Sequence, residues 1–441
     1  MSSRLSAAEF AALPLSRRLR SIAGGSIGNL VEWYDWLAYS TFSLYFAHIF
    51  FPASDRTAQL LNTAAIFAVG YIMRPIGSVV FGWYADRKGR KAALSASVVL
   101  MCLGSLLIAV TPGFKTIGLA APVILVLARM LQGLSVGGEY GTSAAYLMEV
   151  APAKQRGFFV SFHYFTLLSG QLLAVLTLIL LQFVLLSPEA LDAWGWRIPF
   201  VIGGLLAVVG MVLRRGIDES PEFTRQAKPS ANPLKLLMQH PGAVLRVAGL
   251  TIGGSVAVNT FSVYMPKFLV NTVGLPKTDS TVVSAISLVA FMIMQPVYGA
   301  LSDRIGRRPL LIGFGVLGTL LSAPILSALA KAQSPIQALM LILAGMVITS
   351  GYSAVNAVVK AELFPVEMRA VGVGVPYAVV VALVGGTSEY VGLLFKQAGS
   401  ETGFYYYVAG CILLSLLVYL GMPETRPGGA ETPIVTLEAR S

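Results

Sequence analysis

The sequence predicts an all-α membrane protein with about twelve transmembrane helices in two six-helix halves, and three observations carry that prediction. Of its 441 residues, 56% are hydrophobic and only 12% are charged, whereas roughly a quarter are charged in ordinary soluble domains. Apolar runs of about 20 residues, the length that crosses a bilayer, recur along the whole chain. A charged turn also occurs twice in one frame. Gly82-Trp-Tyr-Ala-Asp86-Arg87-Lys-Gly89-Arg90-Lys91 returns as Gly299-Ala-Leu-Ser-Asp303-Arg304-Ile-Gly306-Arg307-Arg308, close to half a chain later. Such a repeat is the mark of a duplicated transporter fold.

The formal charge is +11. Because the basic residues lie between apolar runs and not on a separate polar domain, they read as positive cytoplasmic loops, and nucleic acid is not expected as a partner. Cys102 and Cys411 each fall inside an apolar run. They form neither a disulfide framework nor a metal-ligand spacing, so no metal or cofactor is expected. Arg17, Arg18 and Arg20 precede the first apolar stretch as in a signal peptide, but that stretch holds Glu32 and Asp35 and runs to Phe51 without a small-residue cleavage pattern. It reads as a retained first span.

In order, spans are expected near 21–46, 58–83, 92–111, 119–145, 158–185 and 197–214, then 243–268, 281–301, 309–329, 335–358, 370–395 and 403–421. This divides the chain into a cytoplasmic segment (1–20), an N-terminal bundle (21–215), a polar linker (216–242), a C-terminal bundle (243–422) and a cytoplasmic tail (423–441). An even span number puts both termini on one side, together with Arg17, Arg18, Arg20, the Arg87–Lys91 cluster, Lys154, Arg156, Arg214, Arg215, Arg304, Arg307, Arg308 and Arg369. Positive-inside bias makes that side the cytoplasm. The opposite face would carry Arg56, Lys115, Lys267, Lys277, Lys331 and Lys396, with Tyr39, Phe42, Tyr45, Phe46, Phe50 and Phe51 as an interfacial aromatic belt.

The duplicated turn has two readings, a loop that fixes topology or a gating element. Gly82, Gly89 and Gly306 let backbones approach. Asp86 and Asp303 can accept from a helix N-terminus or an arginine, and Arg87, Arg90, Arg304 and Arg307 stay near an anionic leaflet.

Function is sought where ionisable groups lie at membrane depth, because a charge there costs about 2.5–3.5 kcal/mol even on lenient scales. The first half has Glu32, Asp35, Arg74, Arg129 and Glu139. The second has Glu389 clearly within a span, with Lys360 and Glu362 at an end. Charge chemistry is therefore expected in the first half and mainly neutral contacts in the second. Glu32, Asp35 and Tyr39 share one helix face, while Arg129, Gln132, Val136 and Glu139 share another. Gly133, Gly137 and Gly138 would let the fourth span pack closely. If the faces meet, Arg129 pairs with Asp35 or Glu32, and loss of that partner would favour protonation. The same residues could instead form a static ion pair that fixes packing.

Arg74 has no sequence-local partner and could grip a carboxylate with two parallel bonds or pair with Glu32 or Glu139; Arg129 is read as a second carboxylate ligand beside it, and Tyr39 as a further substrate contact. His163, Tyr164 and Gln171 lie along the fifth span, the histidine either a hydrogen-bonded core residue or a proton carrier. Asn259, Tyr264, Tyr352, Asn356 and Tyr377 could face a cavity or bond helix to helix. Lys360, Glu362 and Arg369 read as a gate network on the cytoplasmic side.

These residues carry a resemblance. The duplicated turn, Arg129-Met-Leu-Gln-Gly133, Glu219-Ser-Pro-Glu222 and Pro423-Glu-Thr-Arg426 together resemble the major facilitator superfamily. Gly28-Asn-Leu-Val-Glu-Trp-Tyr-Asp35, Met73-Arg-Pro-Ile-Gly77, Gly133-Leu-Ser-Val-Gly-Gly-Glu-Tyr-Gly141 and Trp194-Gly-Trp-Arg-Ile-Pro-Phe200 resemble its metabolite:proton symporter family. Four further stretches, 43–52, 267–272, 360–365 and 388–390, sharpen that likeness. It implies a monomeric transporter, not an enzyme, that takes up 2-oxoglutarate with protons across a bacterial inner membrane, with Asp35 and Arg129 at coupling positions. Citrate, shikimate, proline or betaine are alternative cargoes. A membrane-embedded sensor or enzyme is a third reading, opposed by the lack of a nucleophile motif, metal-ligand spacing or phosphate-cradling loop. Symport agrees with elementary electrostatics. Bringing a dianion inward against 100 mV costs about 4.6 kcal/mol, which two protons cancel.

Overall fold

The computed structural model describes residues 15–52, 55–88, 90–137, 140, 144, 147–148, 151–215, 237–364 and 369–425, with backbone only over 15–29, 82–83, 85–88, 90–95, 153, 207, 209–215 and 370. The described part is helical and contains no strand. Its membrane helices are α1 (Leu15–Phe50), α2 (Arg56–Lys88), α3 (Arg90–Val110), α4 (Ala120–Val136), α5 (Arg156–Leu180) and α6 (Ile198–Arg215). They continue as α7 (Pro241–Val273), α8 (Lys277–Ile305), α9 (Arg307–Leu329), α10 (Pro335–Glu362), α11 (Val371–Gln397) and α12 (Glu401–Gly421). Among the described residues eight helices are long and apolar enough to cross a membrane, and three shorter ones are apolar. Most of the expected linker, 216–236, and most of the tail, from 426 onward, lie outside the described residues.

The two halves pack by one rule. In the first, α1 packs on α5 and α6, α2 on α4, and α3 on α4 and α6; in the second, the same pairs recur six helices later, α7 on α11 and α12, α8 on α10, and α9 on α10 and α12. Between halves, α5 lies along α8 and α2 lies against α11, and each of these contacts is the image of the other under that six-helix shift. The duplication read from the charged turn is thus a duplication of the whole packing scheme. In the second copy of the turn the chain passes from α8 to α9 in one residue, Gly306, whose φ of 101° is open to glycine and strained for other residues.

Glycines set the spacing of α2 and α4. A Cβ on Gly133 would collide with the Gly70 carbonyl, one on Gly77 with the Leu134 carbonyl, and one on Gly137 with the Arg74 carbonyl. Gly133 and Gly137 therefore act as expected, while Gly138 lies outside the described residues. Overpacking of this kind costs about 1–3 kcal/mol. Gly133→Ala is expected to lower the thermal unfolding midpoint in detergent, and an unchanged midpoint would show that the helices part freely.

The expected interfacial belt is not one. Tyr39, Phe42, Tyr45, Phe46 and Phe50 are buried. Phe46 and Phe50 are centred 5.5 and 5.6 Å from Trp196, while Tyr39 stacks on Phe67 of α2 at 5.9 Å and the Tyr45 hydroxyl accepts from Gln182 at 2.8 Å. Aromatic side chains on one stretch of α1 thus serve as core because α2, α6 and the turn before α6 close over them.

Candidate substrate cleft

Between the halves, Glu32 and Trp33 of α1, Arg74 of α2, Val136, Gly137 and Tyr140 at the end of α4, and Gly374, Tyr377 and Ala378 of α11 line a narrow cleft. Arg74 is buried, and its guanidinium carbon lies 4.1 Å from the Trp36 ring centre, 4.4 Å from Tyr71 and 4.9 Å from Trp33. Its Nε and Nη2 have no hydrogen-bond partner. Arg129, fully buried, stands 4.0 Å from the same Trp36 ring and 4.6 Å from Tyr39. One indole therefore serves two guanidinium groups, each contact worth up to about 2 kcal/mol when desolvated, which is how two buried cations are tolerated beside so few acids.

The faces of α1 and α4 meet, but Asp35 and Arg129 do not pair directly. Gln132 stands between them: its Nε2 donates to Asp35 Oδ2 at 2.8 Å, and its Oε1 accepts from Arg129 Nη1 at 2.7 Å. Ser105 of α3 donates to the other Asp35 oxygen. The Asp35 carboxylate is thus held by neutral donors, and no ion pair to it occurs among the described residues. The geometry suits a group that changes protonation state, since a serine hydroxyl turns from donor to acceptor by rotation and the glutamine amide serves whichever oxygen stays unprotonated.

Other expected ligands divide. Tyr377 lines the cleft, and the Tyr140 ring stacks on it with centres 3.5 Å apart. His163 meets the Tyr140 ring edge-on at 4.6 Å. Asn356 accepts from the Tyr140 hydroxyl at 2.5 Å, and Tyr352 and Asn356 both accept from Lys360 Nζ, at 3.3 and 3.1 Å. Tyr164 is buried on α5. By contrast, the Tyr39 hydroxyl donates to the Thr63 carbonyl, Gln171 donates to the Ser262 carbonyl across the halves, and Asn259 donates to the Ser255 carbonyl. Tyr264 sits among Phe268 and Phe404. These four have their polar groups engaged or their rings packed away from the cleft.

Charge is not confined to the first half, contrary to expectation. Lys267, expected on the outer face, is buried in α7 because that helix runs on to Val273. It forms an ion pair of 2.5 Å with Glu389 of α11 and donates to Ser40 of α1 at 2.6 Å. Lys360, expected in a gate, is also fully buried, its Nζ lying 4.2 Å from the Tyr377 ring centre. The rest of that expected network is at the Asp303 end of the bundle. Asp303 accepts from the backbone N–H groups of Gly157 and Phe158, both at 2.8 Å, so a carboxylate of the second half caps the first turn of α5. Arg307 holds Asp303 at 2.9 Å and approaches Glu362 at 3.6 Å. Arg304 is exposed, and Arg369 Nε donates to the Ala361 carbonyl at 2.8 Å. In the first copy of the turn Gly82, Asp86, Arg87 and Arg90 lie in helix with side chains outside the described residues, as do Gly89 and Glu139 altogether.

Two family descriptions match this chain, Sugar (and other) transporter over residues 23–232 and Major Facilitator Superfamily over residues 247–436. It is 49% identical to the alpha-ketoglutarate permease of Escherichia coli K12 over 92% of this chain and 93% of that one. The chain belongs to the major facilitator superfamily. As a member it is also 33% identical to a citrate-proton symporter of Klebsiella pneumoniae, over 91% of this chain and 90% of that one. Among solved superfamily structures, the partially occluded inward-open xylose transporter XylE of E. coli superposes with a TM-score of 0.74 at 21% identity, covering 93% of this chain and 98% of that one. This chain, like these relatives, is a multi-pass membrane transporter and not an enzyme.

Proposed function

We propose that this transporter is a symporter that imports 2-oxoglutarate with protons by alternating access. The observation that carries the reading is the 49% identity to the alpha-ketoglutarate permease over nearly the whole of both chains. The cleft supports an anionic cargo, since Arg74 offers it two unpartnered nitrogens in a buried site, and a guanidinium fork matches a carboxylate. Asp35 is the proton carrier, with Glu32 beside the cargo and Arg129 linked to Asp35 through Gln132. Residues 21–215 and 243–422 move as two bundles about the cleft. Contacts between halves at the Asp303 end and at the Lys267 end break in turn. The arginine-rich ends supported by the positive-inside bias face the cytoplasm, with both termini, in a bacterial inner membrane.

The test is uptake of labelled 2-oxoglutarate by proteoliposomes under an imposed pH gradient, acid outside. Accumulation that a protonophore abolishes is the expected result. Uptake indifferent to collapse of the gradient removes symport, and uptake of citrate in place of 2-oxoglutarate moves the cargo toward that of the 33% identical relative.

A further inference from the structure

Lys360 has an environment that the carrying of one carboxylate does not use. It lies in the segment Asn356–Glu362 of α10, is inaccessible to solvent, and has no acidic partner among the described residues. Of its three N–H donors, two reach Tyr352 Oη and Asn356 Oδ1. Three tyrosine rings, Tyr140, Tyr352 and Tyr377, surround it at 5.5, 5.6 and 4.2 Å. A buried ammonium that neutral groups alone surround is costly, and such an arrangement is retained where an anion comes to it. Two of the three rings, Tyr140 and Tyr377, are also walls of the cleft that holds Arg74.

We infer that Lys360 is the second carboxylate ligand of the cleft, so that a dicarboxylate is held with one end on Arg74 of the first half and the other on Lys360 of the second. The inference rests on the reading of an anionic cargo and adds what selects two carboxylates over one. The stacked rings of Tyr140 and Tyr377 line the cleft and lie 5.5 and 4.2 Å from the ammonium, so a shift of the Tyr377 ring would bring the ammonium to the cleft with the Tyr140 hydroxyl still in place. Tyr140 and Lys360 donate to one acceptor, Asn356 Oδ1. An incoming carboxylate therefore has both donors ready: it accepts from the hydroxyl and the ammonium together and displaces the amide oxygen. Because the two cations belong to different halves, a dianion draws the halves together and a monoanion does not.

The experiment measures binding of glutarate and of valerate, a dicarboxylate and a monocarboxylate of equal carbon number, to the purified full chain by Trp fluorescence. The wild type is expected to prefer glutarate. Lys360→Met is expected to weaken glutarate about 10- to 100-fold, the worth of a hydrogen bond to a charged group, and to leave valerate nearly unchanged. If Lys360→Met does not fold, Lys360→Gln, which keeps polar contact with Tyr352 and Asn356, carries the same expectation. Equal loss for both acids, no loss for either, or a wild type without preference overturns the inference. Preference for glutarate without transport of 2-oxoglutarate leaves it standing and sinks only the proposed cargo.

Discussion

Asp35→Asn is expected to abolish accumulation driven by a pH gradient while exchange of internal for external cargo continues. The substitution keeps shape and one acceptor oxygen, so Ser105 and Gln132 retain partners and the α1, α3 and α4 contact survives. What disappears is a group that can carry a proton at that depth. One pH unit is worth about 1.4 kcal/mol for each coupled proton, or about tenfold in accumulation, so two protons across one unit give about a 100-fold ratio. In the variant that ratio falls to one. Accumulation at the wild-type level would transfer the role to another carboxylate. Loss of exchange as well would make Asp35 a packing residue whose work is to hold Gln132 against Arg129.

The fold was legible because a bilayer leaves few solutions. Backbone groups in oil must bond within helices, and two copies of one charged turn half a chain apart state the duplication in plain residues. Asp35, Arg74 and Arg129 were legible as buried candidates for a related reason: ionisable groups inside apolar runs are costly, and the structure buries all three. Helix periodicity brought the faces of α1 and α4 together, but it could not show that Gln132 intervenes. A spacing of three residues says that two side chains share a face, not which of them bridges to the neighbouring helix.

The cations of the second half were misplaced for another reason. Lys267 and Lys360 lie within a few residues of the expected span ends, where a lysine ordinarily reaches the interface. Helices α7 and α10 extend past those ends, to Val273 and Glu362, and neighbouring helices cover both side chains. Burial near a helix end comes from tertiary packing, which local hydropathy does not register.

The second large effect follows from that hidden pair. Lys267→Met is expected to destabilise the protein by about 3–5 kcal/mol, because it leaves Glu389 charged in a site where both side chains are at most 5% exposed. Replacing both residues, Lys267→Met with Glu389→Met, removes the uncompensated charge together with its partner and is expected to restore stability to near the wild-type value. Thermal unfolding in detergent reads both. The double variant separates two kinds of work that the single one confuses. Ser40 of the first half donates to Glu389 at 3.5 Å and accepts from Lys267 at 2.6 Å, so the pair also ties α1 to α7 and α11 across the halves. A double variant that is stable and still transports at the wild-type rate would confine the pair to folding. One that is stable but slow would place the breaking and remaking of this cluster in the transport cycle, since polar contacts across the halves must form and part at each turnover if access alternates.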